Sequence, residues 1–207
     1  MSSVKYFDSI AQNWDVIRSE YFEEKLKYAA ISKVDIDSKV CADLGCGTGF
    51  ISLELARRAN IVFSMDVSTN MLKQIYNKSK NENQHNIYPI KASMEDIPLF
   101  DNSVDVIFTN MAMHHVENPA AAMKEMNRIL KPEGRVVISD VKEHNGEWAR
   151  EEMFDVWLGF NNEQIATWLR EAGFKNIEIE NTDLSCIGYS SKGERTETGI
   201  FIATAVK

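Results

Sequence analysis

Gly45, Gly47 and Gly49 stand at alternate positions in the stretch CADLGCGTGF, between a short apolar run and a segment of helical character. Glycines at that density mean that the backbone must come close to something, and a strand, a glycine turn and a helix in succession demand a βαβ-type fold. Two ligand classes can be tested at once. A phosphate-cradling Walker loop needs Gly-Lys-Ser/Thr, but Gly49 is followed by Phe50 and Ile51, so that reading fails. The dinucleotide pattern GxGxxG would put its third glycine where Phe50 stands. There the third glycine allows close helix–strand packing and the helix N-terminus holds a pyrophosphate, whereas a bulky residue begins this helix. Asp66, at the end of the next apolar run, lies at about the ~20-residue distance expected of a carboxylate that grips ribose hydroxyls. The ligand therefore has a ribose and need not have a phosphate.

The rest of the chain alternates in the same way. The pattern predicts strands at Val40–Leu44, Ile61–Met65, Ile87–Ile90, Val104–Thr109, Arg135–Ser139, Lys175–Glu180 and Ile200–Val206. Helices are expected at Ile51–Arg58, at Met71–Lys80 with Ser68 or Asn70 as cap, at Pro119–Leu130 behind Asn118, and at Asn162–Ala172 before Gly173. Such alternation predicts a doubly wound α/β sheet, mostly parallel, with helices on both faces. The last two strands lack a helix between them, only a polar loop at 182–198, so one antiparallel strand is expected at the sheet edge. The chain reads as one domain: residues 1–30 as a helical cap and 38–207 as the core. Tyr6 or Phe7 shares one helical face with Ile10 and Trp14, from which residues 1–20 are expected to close as a lid over the ligand.

Charge and cysteine usage narrow the partners. The net charge of −8 and the lack of any basic cluster longer than Arg57-Arg58 argue against nucleic acid. No run approaches the ~18 apolar residues of a membrane span, and no secretory signal is visible at the N-terminus. Cys41, Cys46 and Cys186 form no CxxC pair, as expected of reduced thiols in a cytoplasmic protein.

Four segments in order carry a resemblance: DLGCGTG, MDVSTNML, KASMEDIPLFDNSVDVIF and MHHVENPAAAMKEMNRILKPEGRVVISD. Together they resemble the class I S-adenosylmethionine-dependent methyltransferases, of the small-molecule type that includes ubiquinone and menaquinone methyltransferases. The resemblance implies a Rossmann-like seven-stranded sheet, S-adenosyl-L-methionine as cofactor and a small-molecule methyl acceptor. It further implies that Gly45, Cys46 and Gly47 line the methionine part of the cofactor, with Asp43 orienting the loop. Asp66 would take the ribose, Val67 and Met71 flank the adenine, Ser93 and Met94 lie at its edge, and Asn110 lies near the sulfonium. Tyr6 belongs to the leading segment expected over the cofactor. The sequence has Ser93 near where relatives often carry aspartate, Trp14 where tyrosine is common, and KPEG in place of KPGG.

Methyl transfer from a sulfonium is an in-line displacement that asks for alignment and exclusion of water, and an oxygen or carbon acceptor also asks for a base. His115, after strand four, and His144, after strand five, are the candidate bases, with Asp140 beside them. The bland alternatives are that His115 packs above the cofactor and His144 is a solvated loop residue. A metal site on the adjacent His114 and His115 is not expected, because neighbouring side chains rarely aim at one ion and no further His or Cys has ligand spacing. Met153, Phe154, Trp157 and Phe160 form an apolar stripe expected either in the core or as a wall of the acceptor pocket. The competing readings are a nicotinamide-dinucleotide oxidoreductase and a non-catalytic S-adenosylmethionine-binding regulatory module.

Overall fold

The structure, a computed structural model, describes residues 3–207; residues 1 and 2, part of the expected lid, lie outside them. Seven strands form one sheet: β1 (Val40–Leu44), β2 (Ile61–Asp66), β3 (Ile87–Lys91), β4 (Val104–Asn110), β5 (Leu130–Val141), β6 (Lys175–Tyr189) and β7 (Arg195–Val206), in the order β3-β2-β1-β4-β5-β7-β6. Every pairing among β1 to β5 is parallel, while β7 runs antiparallel to both β5 and β6. The antiparallel strand is thus one place in from the edge, and β6 forms the edge itself.

Helices cover both faces, which is why β4 reads as an almost unbroken apolar run. Ile107 faces Met123, Met126 and Ile129 of α6 (Pro119–Ile129) together with Ile165 and Leu169 of α8 (Asn162–Glu171). Its neighbours Val106 and Phe108 face the other way, toward Leu55 of α4 (Ser52–Leu55) and Leu72 and Ile75 of α5 (Thr69–Asn81). Each such side chain removed from water contributes roughly 1.5–3 kcal/mol. Capping sets the helix starts. The Ser68 side chain accepts from Met71 N–H to begin α5, and Asn118 accepts from Ala121 N–H ahead of Pro119 at the start of α6.

Three expectations are corrected. The polar loop at 182–198 is the far half of a long β6–β7 hairpin, paired out to Tyr189 and Arg195, because backbone pairing across the hairpin satisfies its polar groups whatever its side chains. The apolar stripe at 153–160 is not helical. α7 (Trp148–Glu152) stops before Met153, and Phe154 takes a positive φ of 63°. Trp157 and Phe160 then pack with Trp168 in the core, while Met153 and Phe154 stay near the ligand-side edge of the sheet. Last, the N-terminal segment is three short helices, α1 (Ser3–Ile10), α2 (Trp14–Tyr21) and α3 (Lys25–Ile31), so Trp14 opens a new helix rather than continuing the face of Tyr6.

Candidate active site

In a sheet of this order the strand sequence reverses between β1 and β4, and the crevice above their carboxyl ends is where such sheets bind ligands. A cavity of about 330 Å³ opens there, walled by the glycine loop, Asp66, Ser93, Asn110 and the N-terminal helices. The loop is pinned from below: Gly45 and Cys46 N–H donate to Met65 O at 2.8 and 2.9 Å. Gly45 has φ +70°, and a Cβ there would stand 2.5 Å from Ala112 Cβ, so backbone curvature and close packing both require glycine. Gly47 N–H donates to Asp66 Oδ2 at 2.9 Å and Ser68 N–H to Asp66 Oδ1 at 2.8 Å. Each carboxylate oxygen keeps a further lone pair for a ligand hydroxyl. Burial raises the Asp66 pKa against the pull of these two N–H groups.

The N-terminal helices roof this cavity. The Trp14 indole lies over Gly47, and Phe7, Arg18 and Phe22 complete the wall. Asp8 Oδ1 accepts from Ser68 Oγ at 2.6 Å and from Asn70 N–H at 3.0 Å, tying α1 to the start of α5. Asp15 accepts from Thr48 Oγ1 at 2.6 Å and pairs with Lys78. Arg18 bonds Glu24 through Nη2 at 2.5 Å and stacks on Phe50, 4.2 Å from the ring centroid. Its Nε and Nη1 are buried with no hydrogen-bond partner among the described residues. Arg18 itself lines the cavity wall, so its positive charge favours an anionic group there.

A second, smaller cavity of about 80 Å³ adjoins the first, and Trp14, Phe22, Met111 and His115 line both. Met111 carries a φ of 52°, an uncommon conformation for a methionine, which turns the chain after β4 between the two spaces. The β6–β7 hairpin and α7 close the far side. Trp148 Nε1 donates to Thr196 Oγ1 at 2.8 Å, and the ring fills the space a side chain at Gly188 would need. Cys186 and His144 also face this cavity, and burial pushes the Cys186 thiol up to about 12, so it is neutral there.

At its floor, the turn after β4 (Met113–His115) meets the chain after α7. His114 Nδ1 is 2.6 Å from Asp140 Oδ1, its Nε2 is 3.9 Å from Asp155 Oδ1, and His115 Nδ1 is 3.5 Å from that same oxygen. Burial opposes the charge on His114, but Asp140 and then Asp155 outweigh it and push the pKa up to about 9. Burial and the neighbouring His114 charge hold His115 well below its ordinary value. Burial lifts Asp155 to about 6 in spite of His114.

Of the residues anticipated from the sequence, Gly45, Cys46, Gly47, Asp66, Val67, Met71, Ser93, Met94 and Asn110 all line the larger cavity, and His115 and His144 line the smaller. Three stand elsewhere. Tyr6 packs against Phe154 with its hydroxyl 3.3 Å from Met153 Sδ and lies in neither cavity wall, because α1 turns its Ser3, Val4 and Phe7 side to the larger cavity instead. Asp43 is buried beneath the loop, accepting from Ser52 Oγ at 2.5 Å, and so holds the loop without facing the ligand space. Asp140 is fully buried behind His114 and reaches the acceptor side only through that ring. The two adjacent histidines, not expected to converge, do so on Asp155, forty residues on in the chain. Sequence reasoning missed Arg18 and Asp155. Neither sits in a motif, and only the folded chain brings them to the site.

The comparisons agree with this geometry. Residues 42–138 match a family model described as a methyltransferase domain. The chain is 30% identical to the biotin biosynthesis bifunctional protein BioHC of Saccharophagus degradans, over 65% of this chain and 24% of that one, so it spans about a quarter of that relative's length. It is 24% identical to the demethylmenaquinone methyltransferase of Staphylococcus carnosus, over 86% of each chain. A solved SAM-dependent methyltransferase of Aquifex aeolicus superposes with a TM-score of 0.69 at 21% identity, covering 96% of this chain and 97% of that one. Residues 42–138 thus resemble a methyltransferase domain, and the fold of the whole chain, with its glycine loop and strand order, is that of the solved SAM-dependent methyltransferase.

Proposed function

We propose that this protein transfers the methyl group of S-adenosyl-L-methionine to a small-molecule acceptor held in the second cavity. The observation that carries this reading is the junction of the two cavities at Met111 and His115, which gives one ligand a route to another with the N-terminal helices as roof. A cofactor-sized space of about 330 Å³ suits S-adenosylmethionine, and about 80 Å³ suits a small acceptor or the reactive end of a longer one. Asp66 would accept from the ribose hydroxyls, Val67 and Met71 would flank the adenine, and Ser93 and Met94 would border it. The Gly45–Gly47 backbone and Asn110 would hold the methionine portion, and the Arg18 charge on the cavity wall would attract its carboxylate.

Bound in this way, the cofactor supplies an electrophilic methyl group. The chain's own task is to align the acceptor with it and keep water out, with His115 and His144 facing the acceptor and Asp140 acting through His114. The net charge of −8 disfavours nucleic acid as acceptor, and no helix among the described residues is long and apolar enough to cross a membrane. The three free cysteines support a cytoplasmic site of action. Titration calorimetry tests the reading. Saturable binding of S-adenosylmethionine and none of NAD is expected, and the reverse preference would restore the dinucleotide alternative.

A further inference from the structure

The floor of the second cavity has a feature that methyl transfer alone does not call for. Two imidazoles and a carboxylate from separate segments converge, with their ligand atoms all within 4.8 Å of one another. The separations of 3.9 Å (His114 Nε2 to Asp155 Oδ1) and 3.5 Å (His115 Nδ1 to Asp155 Oδ1) lie close to the ~3.4 Å between ligands placed ~2.1 Å from a tetrahedral ion. The arrangement is held rigidly. Val156 and Trp157 N–H both donate to His114 O at 3.0 Å, and Asp155 N–H donates to Ala149 O at 3.2 Å, clamping the aspartate's segment onto the histidine turn. All three side chains are largely buried, so the convergence is not the casual meeting of surface groups.

A second shell is also present. His114 Nδ1 lies 2.6 Å from the fully buried Asp140 carboxylate, which keeps the proton on Nδ1, so a metal ion that displaces the Nε2 proton meets a lone pair directed toward Asp155 and His115. A carboxylate behind a histidine whose other nitrogen is aimed at a shared point is the usual outer shell of a metal-binding imidazole. His115 Nδ1 is 3.4 Å from Phe154 O, a long contact that ligation would exchange for a metal bond, leaving that ring's proton on Nε2.

We propose that His114 Nε2, His115 Nδ1 and Asp155 Oδ1 form a site for one divalent transition metal ion, oriented by Asp140. All three residues line the second cavity, so the remaining coordination position opens toward the acceptor, the pattern of a catalytic rather than a structural site. An ion there selects acceptors bearing a hydroxyl or thiol, which it binds as alkoxide or thiolate. The proton released on binding passes to His144 on the same cavity wall or to water. In the transfer, the acceptor's lone pair forms the new bond to the methyl carbon. The carbon–sulfur bond of the sulfonium breaks, and its electron pair remains on sulfur as neutral S-adenosylhomocysteine. This acceptor role rests on the methyltransferase reading; the metal site does not.

The test is a Co²⁺ titration of untagged full-length protein after chelator treatment, followed by visible absorption. Expected are the bands of a low-symmetry cobalt site saturating at one equivalent, displaced by Zn²⁺, and weakened roughly 10- to 100-fold or lost in Asp155→Asn and in His115→Ala. Circular dichroism checks that both variants keep the fold. Absence of saturable cobalt binding, or a spectrum unchanged in both folded variants, overturns the site. Calorimetry on the same stripped sample separates the two claims. S-adenosylmethionine binding by a protein that takes no cobalt removes the metal site alone, and intact cobalt binding without cofactor binding removes the methyltransferase reading alone.

Discussion

Asp66 and Arg18 illustrate how differently two residues of one cavity show themselves. Asp66 follows an apolar run at a fixed distance from the glycine turn, so local sequence suffices to single it out. Its two oxygens would each accept a ribose hydroxyl in a charge-assisted bond worth roughly 1.5–3 kcal/mol, so Asp66→Ala should weaken S-adenosylmethionine binding ten- to several-hundred-fold by calorimetry. Unchanged affinity would remove it from the cofactor site. Arg18 is one arginine of several in the sequence, and only its burial at the cavity wall, with two nitrogens left unpartnered among the described residues, marks it. Arg18→Met replaces the guanidinium over Phe50 with an apolar side chain and removes the charge, and should cost about ten- to a hundred-fold in cofactor affinity. An affinity within twofold of wild type would assign the side chain to packing alone. Asp43 makes a pH-dependent contribution to stability. Burial lifts its pKa to about 7, against its bonds to Ser52, so the folded state holds a proton that the unfolded chain has lost above its ordinary value of 3.8. Its contribution is therefore present at low pH and lost as pH rises from about 4 to 7. Relative to Asp43→Asn, the wild type should lose on the order of a few kcal/mol between pH 4.5 and 8 in urea unfolding. Parallel pH curves for the two proteins would show that Asp43 titrates normally.

At the scale of elements, the strands and the major helices were legible because periodicity and capping are local. Ser68 and Asn118 announce α5 and α6, and the structure places both as caps. What the sequence left illegible depends on partners distant in the chain. The far half of the β6–β7 hairpin looks like a loop because its residues are mostly polar, and its order comes from pairing across the turn together with the inward packing of Leu184, Cys186 and Gly188. The N-terminal helices look like one amphipathic stripe, but α1 ends at Ile10 and α2 starts at Trp14, each anchored by its own aspartate. We propose that these two anchors make α1 and α2 a lid: Asp8 reaches the start of α5, and Asp15 reaches Thr48 and Lys78 beside the glycine loop. Polar anchors this close to solvent open readily, and bound cofactor would add further contacts to the same helices. Hydrogen exchange over residues 3–21 should therefore slow when S-adenosylmethionine is added, and Asp8→Ala with Asp15→Ala should abolish most of that slowing. Equal protection with and without cofactor would make the segment a fixed part of the fold.

For the whole molecule, the order β3-β2-β1-β4-β5-β7-β6 puts the carboxyl ends of β1, β2, β4 and β5 beneath one crevice, and residues distant in sequence meet there. The cofactor half of that crevice was readable in advance, since its backbone turn and its carboxylate belong to consecutive βα units. The smaller cavity was readable only in His115 and His144, because the rest of it comes from the chain after α7 and the β6–β7 hairpin, which share no spacing rule with the turn after β4. That asymmetry explains why the cofactor is legible in the sequence while the acceptor must be sought by experiment. The most direct test is turnover of S-adenosylmethionine labelled in its methyl group, run with a panel of small hydroxyl, thiol and amine acceptors and with transition metal ion present and absent. The account predicts label in one acceptor class, with an equal amount of S-adenosylhomocysteine formed. Tight binding of S-adenosylmethionine with no label transferred to any acceptor, and no S-adenosylhomocysteine above the rate of spontaneous decay, would contradict it.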